Sequence, residues 1–287
     1  MALLTVKAPA SRVLVYCLLI AGSAVFLFPL LWMISTSLKP IEETMALPPR
    51  WIPSRFLWVT YWEAITYQSD RVGYVPFLRY GMNTCYLAIL GVTGTVIANA
   101  FIAYGFARIR WPGRDVFFAI TLATMMIPFP VLMVALFSIF KHLGWIGSFR
   151  PLWVPAWFGS AFNIFLLRQF FLTIPQELCD AARIDGCSEL GIFRHVVLPL
   201  SKPALAVVAL FHFMYVWNDF LGPLIYLTHQ ESFTLSLGLQ FYQSQHGGTP
   251  WNMLMAAATI VVFPMIVVFF FTQRTFIQGI QLTGLKG

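Results

Sequence analysis

Apolar and polar residues come in blocks along this chain rather than interleaved. Long apolar runs occupy residues 13–37, 83–107, 116–140, 152–172, 204–227 and 252–272, and most charged residues collect between them. Each run is about 20 residues or longer, enough for a helix to cross a hydrocarbon layer about 30 Å thick. The pattern predicts an all-α integral membrane protein with six transmembrane helices. Within the second run, Gly91, Gly94 or Thr95, Ala98 and Ile102 recur at helical spacing, a small-residue seam suited to close helix contact. Pro128 and Pro130 interrupt the third run and Pro264 lies in the sixth. Proline in a span frees a backbone carbonyl that protein or trapped water must satisfy. A bend lining an internal path and a kink filled by packing both remain open for the third run.

The polar block at residues 173–205 has its own helix grammar. Thr173 and Gln176 have capping-box spacing, and Pro175 fits a first turn, where its missing N–H costs nothing. Glu177 and Asp180 lie near the positive end of the helix dipole. Asp185-Gly186 predicts a stop with Gly186 left-handed. Ser188 then caps a second short helix reaching His195, and Pro199 and Pro203 oppose direct continuation into the next run. The expected result is helix, sharp turn, helix: a docking element at a membrane face.

Composition agrees with the blocks. The chain is 59% hydrophobic and 10% charged, against roughly 45–50% and 25% in soluble domains. The net charge of +7 would suggest nucleic acid in a soluble protein, but here the basic residues follow membrane topology. Lys7, Arg12, Arg108, Arg110, Arg114, Arg168, Arg183, Arg194, Lys202, Arg274 and Lys286 fall on one side, and only Lys141 and Arg150 on the two short loops opposite. The organisation expected is a cytoplasmic N-terminus at 1–12, a first transmembrane helix at 13–37, an external segment at 38–80, a five-helix core at 81–273 and a cytoplasmic tail at 274–287. The first run exceeds the roughly 7–15 residues of a signal-peptide core and lacks a clear cleavage site, so it reads as an uncleaved span. Arg79, external yet close to a span, runs against the charge rule. Cys17, Cys85, Cys179 and Cys187 show no metal or CxxC spacing and read as ordinary small residues.

The polar block resembles the EAA loop of binding-protein-dependent ABC importer permeases: Asp180-Ala181-Ala182, Asp185-Gly186 and Leu198-Pro199 match, with Asp where the motif's name has Glu. Residues 103–108, 167–171, 217–219 and 282–287 extend the match to the carbohydrate branch, similar to the smaller membrane subunit of maltose-type transporters. The resemblance covers nearly the whole chain and weakens over residues 39–79. It implies a type I ABC importer permease fold with a cytoplasmic coupling (EAA) helix, in a bacterial or archaeal plasma (inner) membrane. It also implies a second related permease subunit, two ATP-binding subunits carrying ATP and Mg, and an external solute-binding protein. The coupling residues would be Glu177, Asp180, Ala181, Ala182, Arg183, Asp185, Gly186, Leu198 and Pro199. The terminal 278–287 stretch resembles one that reaches between ATPase subunits.

No phosphate loop, HExxH or GxSxG occurs, so the expectation is no enzyme and no cofactor on this chain. The histidines lack the facing pairs of haem ligation, and His212, alone within a run, reads as a buried, hydrogen-bonded residue. Polar residues within spans are costly and mark candidate substrate-path positions: Asn83, Asn99, Asn163, Asn218 and Asp219. For Asp219 the weighted reading is structural, pairing with Asn218 or with backbone freed near Pro223. A sugar or oligosaccharide is the expected cargo, with a glycerol-phosphate or polyol permease as the near alternative. An ion-driven secondary carrier is the alternative from another class, although neither inverted repeats nor an intramembrane acid relay is evident.

Overall fold

A computed structural model describes residues 9–69, 73–243 and 248–283. The main helices are α1 (Pro9–Ser37), α2 (Phe77–Ala107), α3 (Arg114–Ala123), α4 (Phe129–His142), α5 (Ala161–Thr173), α6 (Gln176–Ile184), α7 (Glu189–Ile192), α8 (Lys202–Asn218), α9 (Leu221–Tyr226) and α10 (Trp251–Thr283). The extended structure among the described residues is one antiparallel pair, Gln68–Ser69 with Gly73–Tyr74, in register Gln68 to Tyr74 and Ser69 to Gly73. Three helices are long and apolar enough to cross a membrane unaided, over Arg12–Ser37, Phe77–Ala107 and Trp251–Gln273. Three bent helix pairs pass the same test, and counting each pair as one span gives up to six.

Each bend has a local cause. In the third apolar run, α3 and α4 meet at 100°. Ile127 stands before Pro128 and is held extended (φ −85°, ψ 112°), because a following proline ring disfavours the helical region. Pro128 is extended in turn (φ −70°, ψ 139°), whereas Pro130 sits in the first turn of α4, where no N–H is needed. One proline therefore breaks the run and the other starts the next helix. The fourth run is also interrupted: a short helix at Arg150–Trp153 and a 3-10 stretch at Val154–Phe158 precede α5.

The fifth run departs furthest from an unbroken span at 204–227. Pro199 does not stop the second short helix. A π turn at Phe193–Val197, with the Leu198 N–H bonded to the Phe193 carbonyl, carries α7 on through Leu198–Leu200. The widened turn relieves the clash a proline ring makes with the carbonyl four residues back. The break falls at Ser201, Pro203 enters the first turn of α8, and the two arms meet at 78°. At the far end α8 stops at Asn218, Asp219 is extended, and α9 follows. α2 begins at Phe77, six residues before the expected start of the second run, so Arg79 lies in its first turn, where it pairs with Glu231 at 2.9 Å.

The chain divides into two compact units. The first comprises residues up to Phe77 with 238–264. Here Lys39 is fully buried, its ammonium 3.9 Å over the Trp32 ring, and Asn252 donates to the Lys39 carbonyl. Tyr67 stacks on Tyr242, whose hydroxyl donates to the Ala64 carbonyl. The second unit comprises 78–237 with the described residues from 265 to 283. Its main core joins α2, α5, α6, the α7 arm and α8 through Tyr104, Leu167, Phe171, Cys179, Phe193 and Val208. The small-residue seam of α2 permits close approach. A Cβ on Gly94 would collide with the Trp157 indole, and one on Gly91 would come within 2.8 Å of His212 Nε2.

Candidate functional site

The polar block folds as a short amphipathic helix standing on the core of the second unit. Cys179 is buried and Ala182 packs against the core, whereas Leu178, Ala181 and Ile184 face outward. Ile184 is 86% exposed. The capping box expected from Thr173 does not form. Thr173 ends α5, and its hydroxyl donates back to the Phe170 carbonyl at 2.7 Å. Pro175 is the N-cap of α6, and no side chain caps that end. A hydroxyl within an uninterrupted helical turn reaches its own i−3 carbonyl before it reaches an N–H beyond the proline. Asp185 is the C-cap, and Gly186 follows at φ +83°, the left-handed region that glycine enters without steric cost. Ser188 Oγ then accepts from the Gly191 N–H at 3.2 Å and caps α7. Leu198 packs on the core while Pro199 is exposed.

The charged residues of α6 are paired within the chain. Arg183 donates to Asp180 Oδ1 at 2.7 Å and to Glu189 Oε1 at 2.9 Å. Gln176 Nε2 donates to the same Asp180 oxygen at 3.1 Å. From α2, the Tyr104 hydroxyl donates to Glu189 Oε2 at 2.7 Å. Arg108, one turn on, donates to Gln176 Oε1 at 2.6 Å and to the Phe171 and Ile174 carbonyls, which the end of α5 leaves open. Its Nε is buried without a partner. Arg168 of α5 donates to the Phe106 carbonyl at 3.2 Å and lies 4.1 Å over the Phe118 ring. Hydrogen bonds from Arg183 and then Tyr104 hold the Glu189 carboxyl below its ordinary value, and the Glu189 bond raises Arg183. Together these bonds fix α6 and α7 against α2. Asp180 and Arg183, expected among the coupling residues, take part in this brace. Glu177 and Asp185 are exposed on the element.

The pairing of Tyr104 and Arg108 with Glu189 and Gln176 was not expected: Gln176 entered only through its spacing to Thr173, and Arg108 through the charge pattern. Tyr104 and Arg108 are spaced one turn apart at the end of a span, but their partners lie 85 and 68 residues away.

The structure separates the span-polar candidates. Asn83 donates to the Glu231 and Phe233 carbonyls, at 2.8 and 2.9 Å. Asn99 donates to the Thr95 carbonyl and accepts from the Ser160 N–H, holding the break before α5. Asn218 donates to the Met214 carbonyl, and Asp219 accepts from the Gly222 N–H at 3.0 Å, opening α9. Asn163 is buried with its Oδ1 unpartnered. His212 Nε2 is likewise unpartnered, contrary to the hydrogen-bonded histidine expected there. Asn163, His212 and Asp219 line a cavity of about 710 Å3 within the second unit.

Apolar spans, one of them broken at 100°, and a braced amphipathic helix between two spans fit a multi-span membrane transport component. Residues 91–281 match the family of binding-protein-dependent transport system inner membrane components, and the chain belongs to that family of ABC importer permeases. It is 33% identical over 266 residues to the arabinooligosaccharides transport system permease protein AraQ of Halalkalibacterium halodurans, covering 91% of each chain. It is 32% identical over 278 residues to the sn-glycerol-3-phosphate transport system permease protein UgpE of Rhizobium meliloti, covering 96% of this chain and 98% of that one. Its fold is similar to a chain in the crystal structure of a bacterial ABC transporter involved in import of the acidic polysaccharide alginate. That match has a TM-score of 0.79 at 22% identity and covers 96% of this chain and 99% of the other. A second match, to the alginate transporter in complex with alginate pentasaccharide-bound periplasmic protein, has a TM-score of 0.64 at 17% identity over 92% and 93%. The fold is the type I importer permease fold.

Proposed function

We infer that this chain is one of two related permease subunits of an ATP-driven importer of a sugar or oligosaccharide, and supplies half of the translocation path. The observation that carries the reading is the outward face of α6. Leu178, Ala181 and Ile184 present an apolar and small surface, while the charged neighbours Asp180 and Arg183 are already paired within the chain. Burying one aliphatic side chain of this kind stabilises an interface by about 1.5–3 kcal/mol, and small residues let a partner backbone approach. The partner is a pair of ATP-binding subunits that hold ATP and Mg. Their closure pushes α6, and the Arg108 and Tyr104 bonds pass the displacement to α2 and α5. Gly186 aims the helix, and Leu198-Pro199 joins the arm to α8.

In this reading the coupling segment and both termini are cytoplasmic, and an external solute-binding protein delivers cargo to the opposite face of the inner membrane. The last residues, 278–287, reach the ATPase subunits; of these, 284–287 lie outside the described residues. The AraQ relatives support an oligosaccharide. The UgpE relatives support glycerol phosphate or a polyol as a second reading. Purifying the chain with its companions and measuring ATP hydrolysis against a cargo panel tests both. A co-eluting ATPase stimulated by a saccharide is the expected result. Uptake driven by an ion gradient in vesicles holding this chain alone would overturn it.

A further inference from the structure

The cavity within the second unit has a charge character that the coupling role does not use. Its volume of about 710 Å3 falls in the roughly 300–1,000 Å3 range of small-ligand sites. α2, α4, α5, α8 and α9 all contribute to its wall. Among the described residues lining it, Asp219 is the one carboxyl group and there is no lysine or arginine. No ion pair to Asp219 occurs among the described residues. Its Oδ1 accepts from the Gly222 N–H, which fixes the carboxyl at the break between α8 and α9.

Asn163 Oδ1 and the Tyr226 hydroxyl are buried without partners, at a cost that a hydrogen-bonding ligand would remove. Tyr215, 61% exposed, adds an aromatic ring to the same wall. An aromatic face with neighbouring acceptors suits the two surfaces of a sugar ring. The C–H face rests on the aromatic ring and the hydroxyls donate to Asp219 and Asn163. A phosphate or uronate would bring a second negative charge against Asp219 with no lysine or arginine in the wall to compensate, and like charges at close range repel.

We propose that this cavity receives one neutral glycosyl unit of the cargo and disfavours phosphorylated or uronic-acid cargo. This rests on the importer reading above and adds a cargo selectivity of the chain's own. Ser160 lines the cavity, is exposed, and uses only its backbone N–H in the bond to Asn99. A Ser160→Cys variant in an otherwise cysteine-free permease–ATPase assembly, without the external binding protein, reports occupancy by its rate of maleimide labelling. Arabinotriose and maltotriose are expected to slow labelling. Glycerol 3-phosphate and trigalacturonate are expected to bind about tenfold more weakly, one decade in Kd.

Asp219→Asn keeps an acceptor for the Gly222 N–H while removing the charge, and should narrow that gap. Equilibrium dialysis of radiolabelled probes on the unaltered assembly gives the same comparison if the cysteine variant misfolds. Equal or better binding of the anionic probes, or no binding of any probe, overturns the proposal. ATP-driven uptake by the complete assembly with its binding protein separates the two layers. Uptake of a saccharide without cavity binding sinks this inference alone, whereas no ATP-driven uptake of any probe sinks the importer reading itself.

Discussion

Arg108→Lys isolates the brace from the membrane topology. The substitution keeps a positive charge at the end of α2, so it leaves the charge bias between loops unchanged. It removes the planar fork that lets one side chain serve Gln176 Oε1 and the Phe171 and Ile174 carbonyls together. A hydrogen bond to a charged group contributes about 1.5–3 kcal/mol, and the lower figure suits a part-exposed guanidinium. If the ammonium holds one of the three acceptors, two bonds are lost, or about 3 kcal/mol. At about 1.4 kcal/mol per decade this shifts the balance between braced and loose α6 by roughly 150-fold. The assay is ATP hydrolysis by the reconstituted assembly with and without loaded binding protein. Basal hydrolysis, a property of the ATPase pair, should persist, while the stimulated increment should fall by about tenfold or more. Unchanged stimulation, with Arg108→Lys present at normal levels in the membrane, would refute the view that these bonds carry the coupling.

Other substitutions test neighbouring parts. Gly186 has open space around it, so Gly186→Ala should cost only the left-handed backbone term, about 1–2 kcal/mol. Gly186→Pro cannot adopt φ +83° and should abolish uptake while the protein still reaches the membrane. Thr173→Ala should change thermal stability by less than about 0.5 kcal/mol, because the hydroxyl bonds only its own helix; a loss of about 1 kcal/mol or more would restore the capping box. Acid should loosen the brace in a defined window. The Glu189 pKa is depressed in the folded chain, so its contribution is complete above the ordinary value of 4.5 and is lost as pH falls through the lower folded value. Hydrogen exchange of α7 amides from pH 3 to 7, in the wild type and in Glu189→Gln, checks this: the variant should lack that added acid-side loosening.

What the sequence discloses follows from the range of the interaction responsible. The apolar blocks and Ser188 act within a few residues, and the three unbroken spans, the Ser188 cap and the left-handed Gly186 appear where local chemistry places them. Proline is a local signal with two outcomes. Pro128 breaks a span because Ile127 and Pro128 are both extended, whereas Pro130, Pro199 and Pro203 are absorbed by first turns or by a π turn. Which outcome follows depends on packing that residue spacing does not contain. The cap misassigned to Thr173 has the same origin, since α5 continues through that residue and consumes its hydroxyl. The brace was hidden for a different reason: Arg108 reads as one of the basic residues on one membrane side, and Tyr104 carries no local signal, until the fold brings Gln176 and Glu189 to them. The break at Asp219 shows both limits. The acid in an apolar run is conspicuous, but that it ends α8 and opens α9 depends on a backbone N–H three residues on.

The most direct measurement compares two reconstitutions in sealed vesicles supplied with ATP, one of the complete assembly and one of this chain by itself. The account predicts uphill saccharide accumulation coupled to ATP hydrolysis in the first, lost when Ile184→Asp spoils the outward face of α6, and neither activity in the second. Hydrolysis or uphill accumulation by the solitary chain, or full activity of the Ile184→Asp assembly, would contradict it.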